Sequence, residues 1–89
     1  MNKLAIVVLN WNGANIIERC LNSLSLQTFD KFQIVVIDNG SNDGSRVILE
    51  KQQKILGDKI HVIYNEKNCG FTGGVNIGIK YAFKHKFDG

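Results

Sequence analysis

The chain has 89 residues, a net charge of +3, 44% hydrophobic residues and 21% charged residues. That length suits one small domain, burying about 60–65% of its unfolded surface. The basic residues are spread along the chain, which counts against a nucleic-acid partner. The apolar run Leu4–Leu9 is too short for a membrane span or a signal-peptide core, and Cys20 and Cys69 lack metal-ligand spacing. A cytoplasmic protein with reduced thiols is expected.

Three apolar runs predict strands, and a helical repeat of apolar residues follows each run. The predicted strands are Lys3–Leu9, Ile34–Ile37 and Ile60–Tyr64, and the predicted helices are Asn15–Leu26, Ser45–Leu56 and Val75–Lys86. Asn15 and Glu18 have the spacing of a capping box at the start of the first helix. Cys20 falls on that helix's apolar face, and Cys69 falls in a loop. Gln27–Asp30 is predicted to turn the chain between the first helix and the second strand.

Two later helices are predicted to carry apolar stripes. In the second helix the stripe is Ile48, Leu49, Ile55 and Leu56, and in the third it is Val75, Ile79, Ala82 and Phe83. Strands that alternate with helices predict an α/β fold: a three-layer α/β/α domain with a mainly parallel sheet and right-handed crossovers. The chain ends on a helix where another strand would be due, so residues 1–89 are interpreted as an incomplete domain. A sheet without its neighbouring strand exposes an edge, and self-association through that edge is expected.

Three polar loops follow the three strands: Asn10–Gly13, Asp38–Ser45 and Asn65–Gly74. Ligands of open α/β sheets bind outside the carboxyl ends of the strands, so these loops predict a small-molecule site. At a strand end, Asp38 suits hydrogen bonds from ribose hydroxyls or a base N–H; the alternative is that it caps the following turn. Trp11 suits stacking on a base or sugar, with packing against the next helix as the alternative.

Several sharper motif interpretations fail. Gly70–Gly78 is glycine-rich and opens a helix but lacks the Gly-Lys-Ser/Thr of a P-loop, and the first loop lacks GxGxxG. Asn39–Glu50 imitates a calcium-binding EF-hand loop, but it follows a strand and its first ligand position is Asn. His61 and His85 have no partner at metal-ligand or triad spacing, so structural or surface roles are expected.

Four segments together carry a resemblance to a known family. The chain resembles the N-terminal part of an inverting family 2 glycosyltransferase with the GT-A fold, and its motifs look most like the rhamnosyltransferase-type branch. The matching segments, in the family's order and spacing, are Ile6–Gly13, Cys20–Phe29, Ile34–Ser45 and Asn68–Ile79.

The resemblance implies roles for individual residues. Asp38 would contact the pyrimidine base or its ribose. The base pocket would be lined by Leu9, Asn10 and Trp11. The wall beside the diphosphate and sugar would be formed by Asn68, Gly70, Gly73, Gly74 and Asn76. The ligands of a divalent cation, Mn²⁺ or Mg²⁺, and the catalytic base would lie beyond Gly89, so none is assigned to this chain.

The implied function is transfer of a hexosyl or rhamnosyl group, with inversion, from a UDP- or dTDP-sugar to a saccharide or lipid-linked acceptor. Cell-surface polysaccharide synthesis, with peripheral association at the inner face of the membrane, is the implied setting. The alternative is a non-catalytic nucleotide- or sugar-binding module. A receiver-like or flavodoxin-like domain is disfavoured, because a receiver needs acidic residues where this chain has Asn10 and Asn12.

Overall fold

The fold was examined in a computed structural model, which describes residues 4–26 and 32–85. Its strands are β1 (Leu4–Asn10), β2 (Phe32–Asn39) and β3 (Ile60–Asn65), and its helices are α1 (Ala14–Ser25), α2 (Ser45–Leu56) and α3 (Gly70–Lys84). A short 3₁₀ turn, Gly57–Lys59, joins α2 to β3. The turn predicted at Gln27–Asp30 lies outside the described residues.

The described strands form one parallel sheet in the order β1-β2-β3. Asn10 of β1 stands beside Asp38 of β2, and Asp38 stands beside Tyr64 of β3, so all three strands end at the same edge. Helices α1 and α2 pack against each other on one face, and α3 packs on β1 and β2 from the other face. The predicted three-layer α/β/α fold is confirmed.

Strand β2 is buried on both faces, as its unbroken apolar run predicts. Ile34 and Val36 point toward the α1–α2 layer, where they join Leu21 and Leu49 in the core. Each of these side chains is 0% exposed and contributes about 1.5–3 kcal/mol of burial free energy. The central strand therefore anchors the loops that leave its carboxyl end.

Helix α3 lies against the sheet through glycines. A Cβ added at Gly78 would lie 2.6 Å from Val7 Cγ1, and one at Gly74 would clash with Leu9 Cδ1. The predicted apolar stripe is turned further outward: Ile79 is 46% exposed and Phe83 is 81% exposed. Because Gly74 and Gly78 have no side chains, the backbone of the helix can lie close to β1. The spacing of the large apolar residues alone therefore does not show which face of α3 meets the sheet.

Three further sequence predictions are wrong. Asn15 lies inside α1, which begins after Gly13, so it is not the cap of that helix. Ile55 is 64% exposed, and Gln52 occupies the buried position on α2 instead. Helix α3 begins at Gly70 rather than at Val75, because contacts from a neighbouring strand, described below, hold a glycine-rich start that has low intrinsic helix propensity.

None of the described helices is long and apolar enough to span a membrane.

Candidate functional site

The carboxyl edge of the sheet carries polar side chains that are nonetheless buried. Asn10 is 4% exposed, and Asp38 and Asn39 are each 1% exposed. Buried polar groups are stable when their hydrogen-bonding capacity is met within the protein. The partners of these three side chains therefore define how the edge is built.

Asp38 joins the ends of β1 and β2. Its Oδ1 accepts hydrogen bonds from Asn10 Nδ2 at 2.9 Å and from the Ser41 hydroxyl at 2.7 Å. Its Oδ2 accepts a longer bond, 3.4 Å, from the Ser41 backbone N–H. These are the contacts of the turn-capping alternative, and they hold the carboxylate in place. A contact between Asp38 and a base stays a prediction.

The first and second loops are bonded to each other. The Asn12 backbone N–H donates to Ser41 Oγ at 2.9 Å, and the Asn42 N–H donates to Asn12 Oδ1 at 2.8 Å. Asp43 Oδ2 accepts from the Ala14 N–H at 3.0 Å, so α1 is capped by a side chain from the next loop. The Ser45 hydroxyl, 2.6 Å from Asp43 Oδ1, and then the Ala14 N–H lower the pKa of Asp43. This cross-loop cap takes the place of the predicted capping box.

Asn39, which the sequence did not single out as a site residue, organises the third loop. Its Oδ1 accepts from Asn65 Nδ2 at 3.1 Å and from the Cys69 N–H at 2.9 Å. Its Nδ2 donates to Asn68 Oδ1 and to the Gly70 carbonyl, both at 3.1 Å. A carboxamide offers two donors and two acceptor positions, and here all are used. The sequence feature that could have identified Asn39 is its position as a polar residue directly after Asp38, at the end of the most buried strand.

The second and third loops are also in close contact through their backbones. Gly40 has φ +78°, and a Cβ added to it would lie 2.7 Å from the Lys67 carbonyl carbon and 2.8 Å from the Asn68 nitrogen. A side chain at this position would meet both a strained backbone conformation and a steric conflict. The second and third loops therefore touch along their backbones.

The predicted diphosphate wall lies at the start of α3, with Asn68 just before the helix and the other four residues in its first two turns. Asn68 Oδ1 accepts from the Gly70 N–H at 2.6 Å, and Cys69, at the N-cap position, is exposed with a free thiol. Gly74 is buried against Leu9, whereas Gly73 is half-buried and Asn76 is exposed in the following turn. Helix N-termini present unpaired N–H groups and a positive partial charge, which is the chemistry that binds phosphate.

A cavity of about 250 Å³ opens between β1 and α1. Its lining includes the three predicted base-pocket residues and is formed by Val8, Leu9, Asn10, Trp11, Gly13, Ile16, Ile17 and Cys20. Trp11 is 56% exposed, so its ring is available to a ligand. Asp38 does not share this exposure, because Asn10 and Ser41 cover its carboxylate.

The two histidines lie away from this edge. The His61 ring stacks on Tyr81 with centroids 4.4 Å apart, and His85 packs on the same tyrosine at 4.3 Å. Burial, and then the charge of His85, lower the pKa of His61. The Tyr81 hydroxyl donates to Gln33 Oε1 at 2.9 Å, which ties α3 to the start of β2. His61 and His85 therefore pack against Tyr81, away from the three polar loops.

Acidic and metal-ligating side chains do not gather at the site. Across residues 4–26 and 32–85, no group of three or more His, Cys, Asp or Glu side chains could hold a metal ion. The described residues therefore do not fit a divalent metal centre, and no metal chemistry is assigned to them.

Known glycosyltransferases are similar to this chain in sequence and in fold. The chain is 35% identical over 80 residues to an uncharacterized glycosyltransferase of Nostoc sp., covering 90% of this chain and 24% of that protein. It is 31% identical over 79 residues to the putative teichuronic acid biosynthesis glycosyltransferase TuaG of Bacillus subtilis, covering 89% of this chain and 31% of that protein. The chain thus spans about a quarter to a third of the length of these relatives.

The fold is similar to that of the mannosyltransferase PcManGT from Pyrobaculum calidifontis, solved in complex with GDP-Man and Mn²⁺. The TM-score is 0.83 at 23% identity, over 90% of this chain and 24% of that structure. This likeness confirms the predicted GT-A, Rossmann-like fold. The profile described as Glycosyl transferase family 2 matches residues 5–84, nearly the whole chain. The chain therefore belongs to glycosyl transferase family 2.

Proposed function

We propose that residues 1–89 are the nucleotide-binding part of an inverting glycosyltransferase that uses a nucleoside-diphosphate sugar. The observation that carries this proposal is the assembly of all three strand-end loops, with the N-terminus of α3, into one hydrogen-bonded edge. Membership of the family supports the transferase class. The complex of PcManGT with GDP-Man supports a nucleotide-sugar donor.

The diphosphate is proposed to bind at the first turn of α3. The Gly70 N–H donates to Asn68 Oδ1, so the N–H groups proposed to meet the diphosphate are those of Phe71 and Thr72, between two glycines that carry no side chain. Backbone amides at a helix start bind phosphate through both hydrogen bonds and the helix dipole. The exposed amide of Asn76 lies one turn further along and suits the sugar hydroxyls.

The base is proposed to enter the cavity beside Trp11. Its 250 Å³ and its mixture of one aromatic ring, aliphatic side chains and Asn10 suit a planar heterocycle. We retain uracil or thymine as the base, with Asp38 as the group that orders Asn10 or accepts from the base. Guanine is the competing choice, since the donor bound by PcManGT is GDP-Man.

The chemical step is proposed to require residues outside this chain. The relatives are three to four times longer, and the described residues hold no metal-binding cluster. A divalent cation, Mn²⁺ or Mg²⁺, would stabilise the departing nucleoside diphosphate there. Within this chain, the residues at the carboxyl edge bind and orient the nucleotide.

The biological setting is proposed from the relatives. TuaG is named for teichuronic acid biosynthesis, which supports a role in cell-surface polysaccharide synthesis on a saccharide or lipid-linked acceptor. A rhamnosyl or other hexosyl donor, and a cytoplasmic location with peripheral association at the inner membrane face, complete the proposal. Self-association through an edge of the sheet is also proposed, because β1 and β3 each have a neighbour on one side only among the described strands.

Calorimetric titration of the full-length protein with UDP, dTDP, GDP and NAD, with and without Mn²⁺, tests the nucleotide assignment. We expect UDP or dTDP to bind, with a gain from Mn²⁺, and NAD not to bind. Asp38→Asn should raise the dissociation constant, whereas Asp58→Asn, an exposed residue of the 3₁₀ turn, should leave it unchanged. An unchanged constant in Asp38→Asn would remove that residue from the site.

Thiol alkylation supplies a second readout that needs no activity. Cys69 is exposed at the start of α3, so a bound diphosphate should slow its alkylation. Glutathione in the same solution serves as the reference thiol, because Cys20 lines the cavity proposed for the base and would be protected by the same ligand. Equal alkylation rates of Cys69 with and without saturating nucleotide would place the diphosphate elsewhere.

A further inference from the structure

We propose that Asn39 is a positioning residue, whose side-chain amide holds the loop Asn65–Gly70 and the start of α3 in the shape that binds the nucleotide. This inference rests on the proposed function for its effect on binding. Its structural half, the fixing of the loop, rests on hydrogen bonds described above.

Asn39 acts through other groups and not by touching the ligand. Its side chain is 1% exposed, and each of its donor and acceptor positions already has a partner from the third loop or the end of β3. A saturated and buried amide has no capacity left for a nucleotide. What it controls is the position of the residues bonded to it.

Those residues are the ones that begin α3. Asn39 accepts from the Cys69 N–H and donates to the Gly70 carbonyl, so the backbone is held immediately before and within the first helical residue. A Cβ built on Gly74 would lie 3.3 Å from Asn39 Nδ2, so the beginning of the second turn of the helix packs close to this amide. The direction of the first N–H groups of α3 therefore depends on Asn39.

The position requires an amide specifically. A carboxylate of the same size retains the two acceptor contacts but cannot donate to Asn68 Oδ1 or to the Gly70 carbonyl. Turning the Asn68 amide over would present a donor to that carboxylate, but Asn68 Oδ1 also accepts from the Gly70 N–H at 2.6 Å, and that bond would be lost. If Asn68 stays as it is, its Oδ1 and the Gly70 carbonyl oxygen both face a buried negative charge.

The decisive experiment compares Asn39→Asp with Asn42→Asp in the full-length protein. Asn42 is exposed in the same loop, so its substitution adds the same charge without entering the contacts of Asn39. Residue-resolved hydrogen exchange by NMR should show faster exchange of the Gly70 amide in Asn39→Asp. The Cys69 amide should change less, because its acceptor survives the substitution. Neither amide should change in Asn42→Asp.

Nucleotide affinity is the second readout. Loss of two hydrogen bonds predicts about a tenfold or larger rise in the dissociation constant of the best-binding nucleoside diphosphate in Asn39→Asp. That loss should shrink as the pH falls, because a protonated carboxyl regains one donor and its neutral form is favoured beside carbonyl oxygens.

The outcomes separate this inference from the proposed function. Unchanged Gly70 exchange in Asn39→Asp overturns the fixing of the loop, and altered exchange with unchanged affinity overturns its role in binding. If the unmodified protein binds none of the four nucleotides, the proposed function and the binding half fail together, while the exchange data still decide the structural half. If Asn39→Asp does not fold, Asn65→Ala removes one of the four contacts without adding charge and should give a smaller effect in the same direction.

Discussion

The glycine contact between α3 and β1 gives a sharp test of how the third helix is seated. In Gly78→Ala the new Cβ would lie 2.6 Å from Val7 Cγ1, 3.2 Å from Cγ2 and 3.5 Å from Cβ. Favourable carbon–carbon contacts lie at about 3.5–4.0 Å, so the helix or the strand must move by about 1 Å. Rotation of the Val7 side chain does not relieve the conflict, because both of its methyl groups lie near the added Cβ. The χ1 torsion of a β-branched residue is also restricted.

Two effects of opposite sign determine the result. Alanine in place of glycine inside a helix ordinarily stabilises by about 1 kcal/mol, whereas overpacking costs about 1–3 kcal/mol. We expect Gly78→Ala to lower the free energy of unfolding by about 1 kcal/mol, measured by urea denaturation of the purified protein. In a Val7→Ala background the steric cost disappears, and the same substitution should stabilise by up to about 1 kcal/mol. A stabilising Gly78→Ala in the unmodified protein would refute the close approach of α3 to β1.

Two further predictions concern other parts of the fold. Asp43→Asn should destabilise the protein at neutral pH by weakening the cap of α1. The pKa of Asp43 is lowered in the folded state by its hydrogen bonds, so its stabilisation is full above the ordinary value of 3.8 and is lost as the pH falls through the lowered pKa. Thermal melts from pH 7 downward should show the difference between the two proteins shrinking below pH 3.8. Gln52→Met should raise the free energy of unfolding by about 1 kcal/mol, because Gln52 Oε1 is buried and finds no hydrogen-bond partner within the described part of the chain. Gln53→Met is its control and should not stabilise, since Gln53 Nε2 donates to the Tyr64 hydroxyl; equal effects of the two substitutions would contradict the assignment.

Sequence periodicity was sufficient where apolar burial decides the structure. The run Ile34–Ile37 identified a central strand buried on both faces, and the limits of α2 were predicted at Ser45 and Leu56, where the structure has them. The beginning of α3 was missed, because Gly70 has little helix propensity of its own and is held by Asn39. That contact joins residues 31 apart in the chain, a separation that no local pattern records.

The meeting of the three polar loops at one edge was predicted from the order of strands and helices. Parallel strands bring their carboxyl ends to one edge, so the convergence of three loops followed from topology. The partners within that edge did not follow. Asp43 caps α1 across the space between two loops, and the burial of Asp38 depends on Asn10 from the neighbouring strand. Such contacts depend on side-chain positions that only the folded chain defines.

The buried, fully hydrogen-bonded side chain of Asn39 affects how fast the protein is chemically modified. Asn39 precedes Gly40, and an Asn-Gly pair is prone to deamidation. The unhindered glycine nitrogen attacks the side-chain carbonyl carbon, the side-chain nitrogen leaves as ammonia, and water opens the resulting succinimide to Asp or isoaspartate. Four hydrogen bonds oppose the rotation that this attack requires. Opening of the third loop would expose the amide, and the Asp or isoaspartate that accumulates at residue 39 on storage would record how often the loop opens.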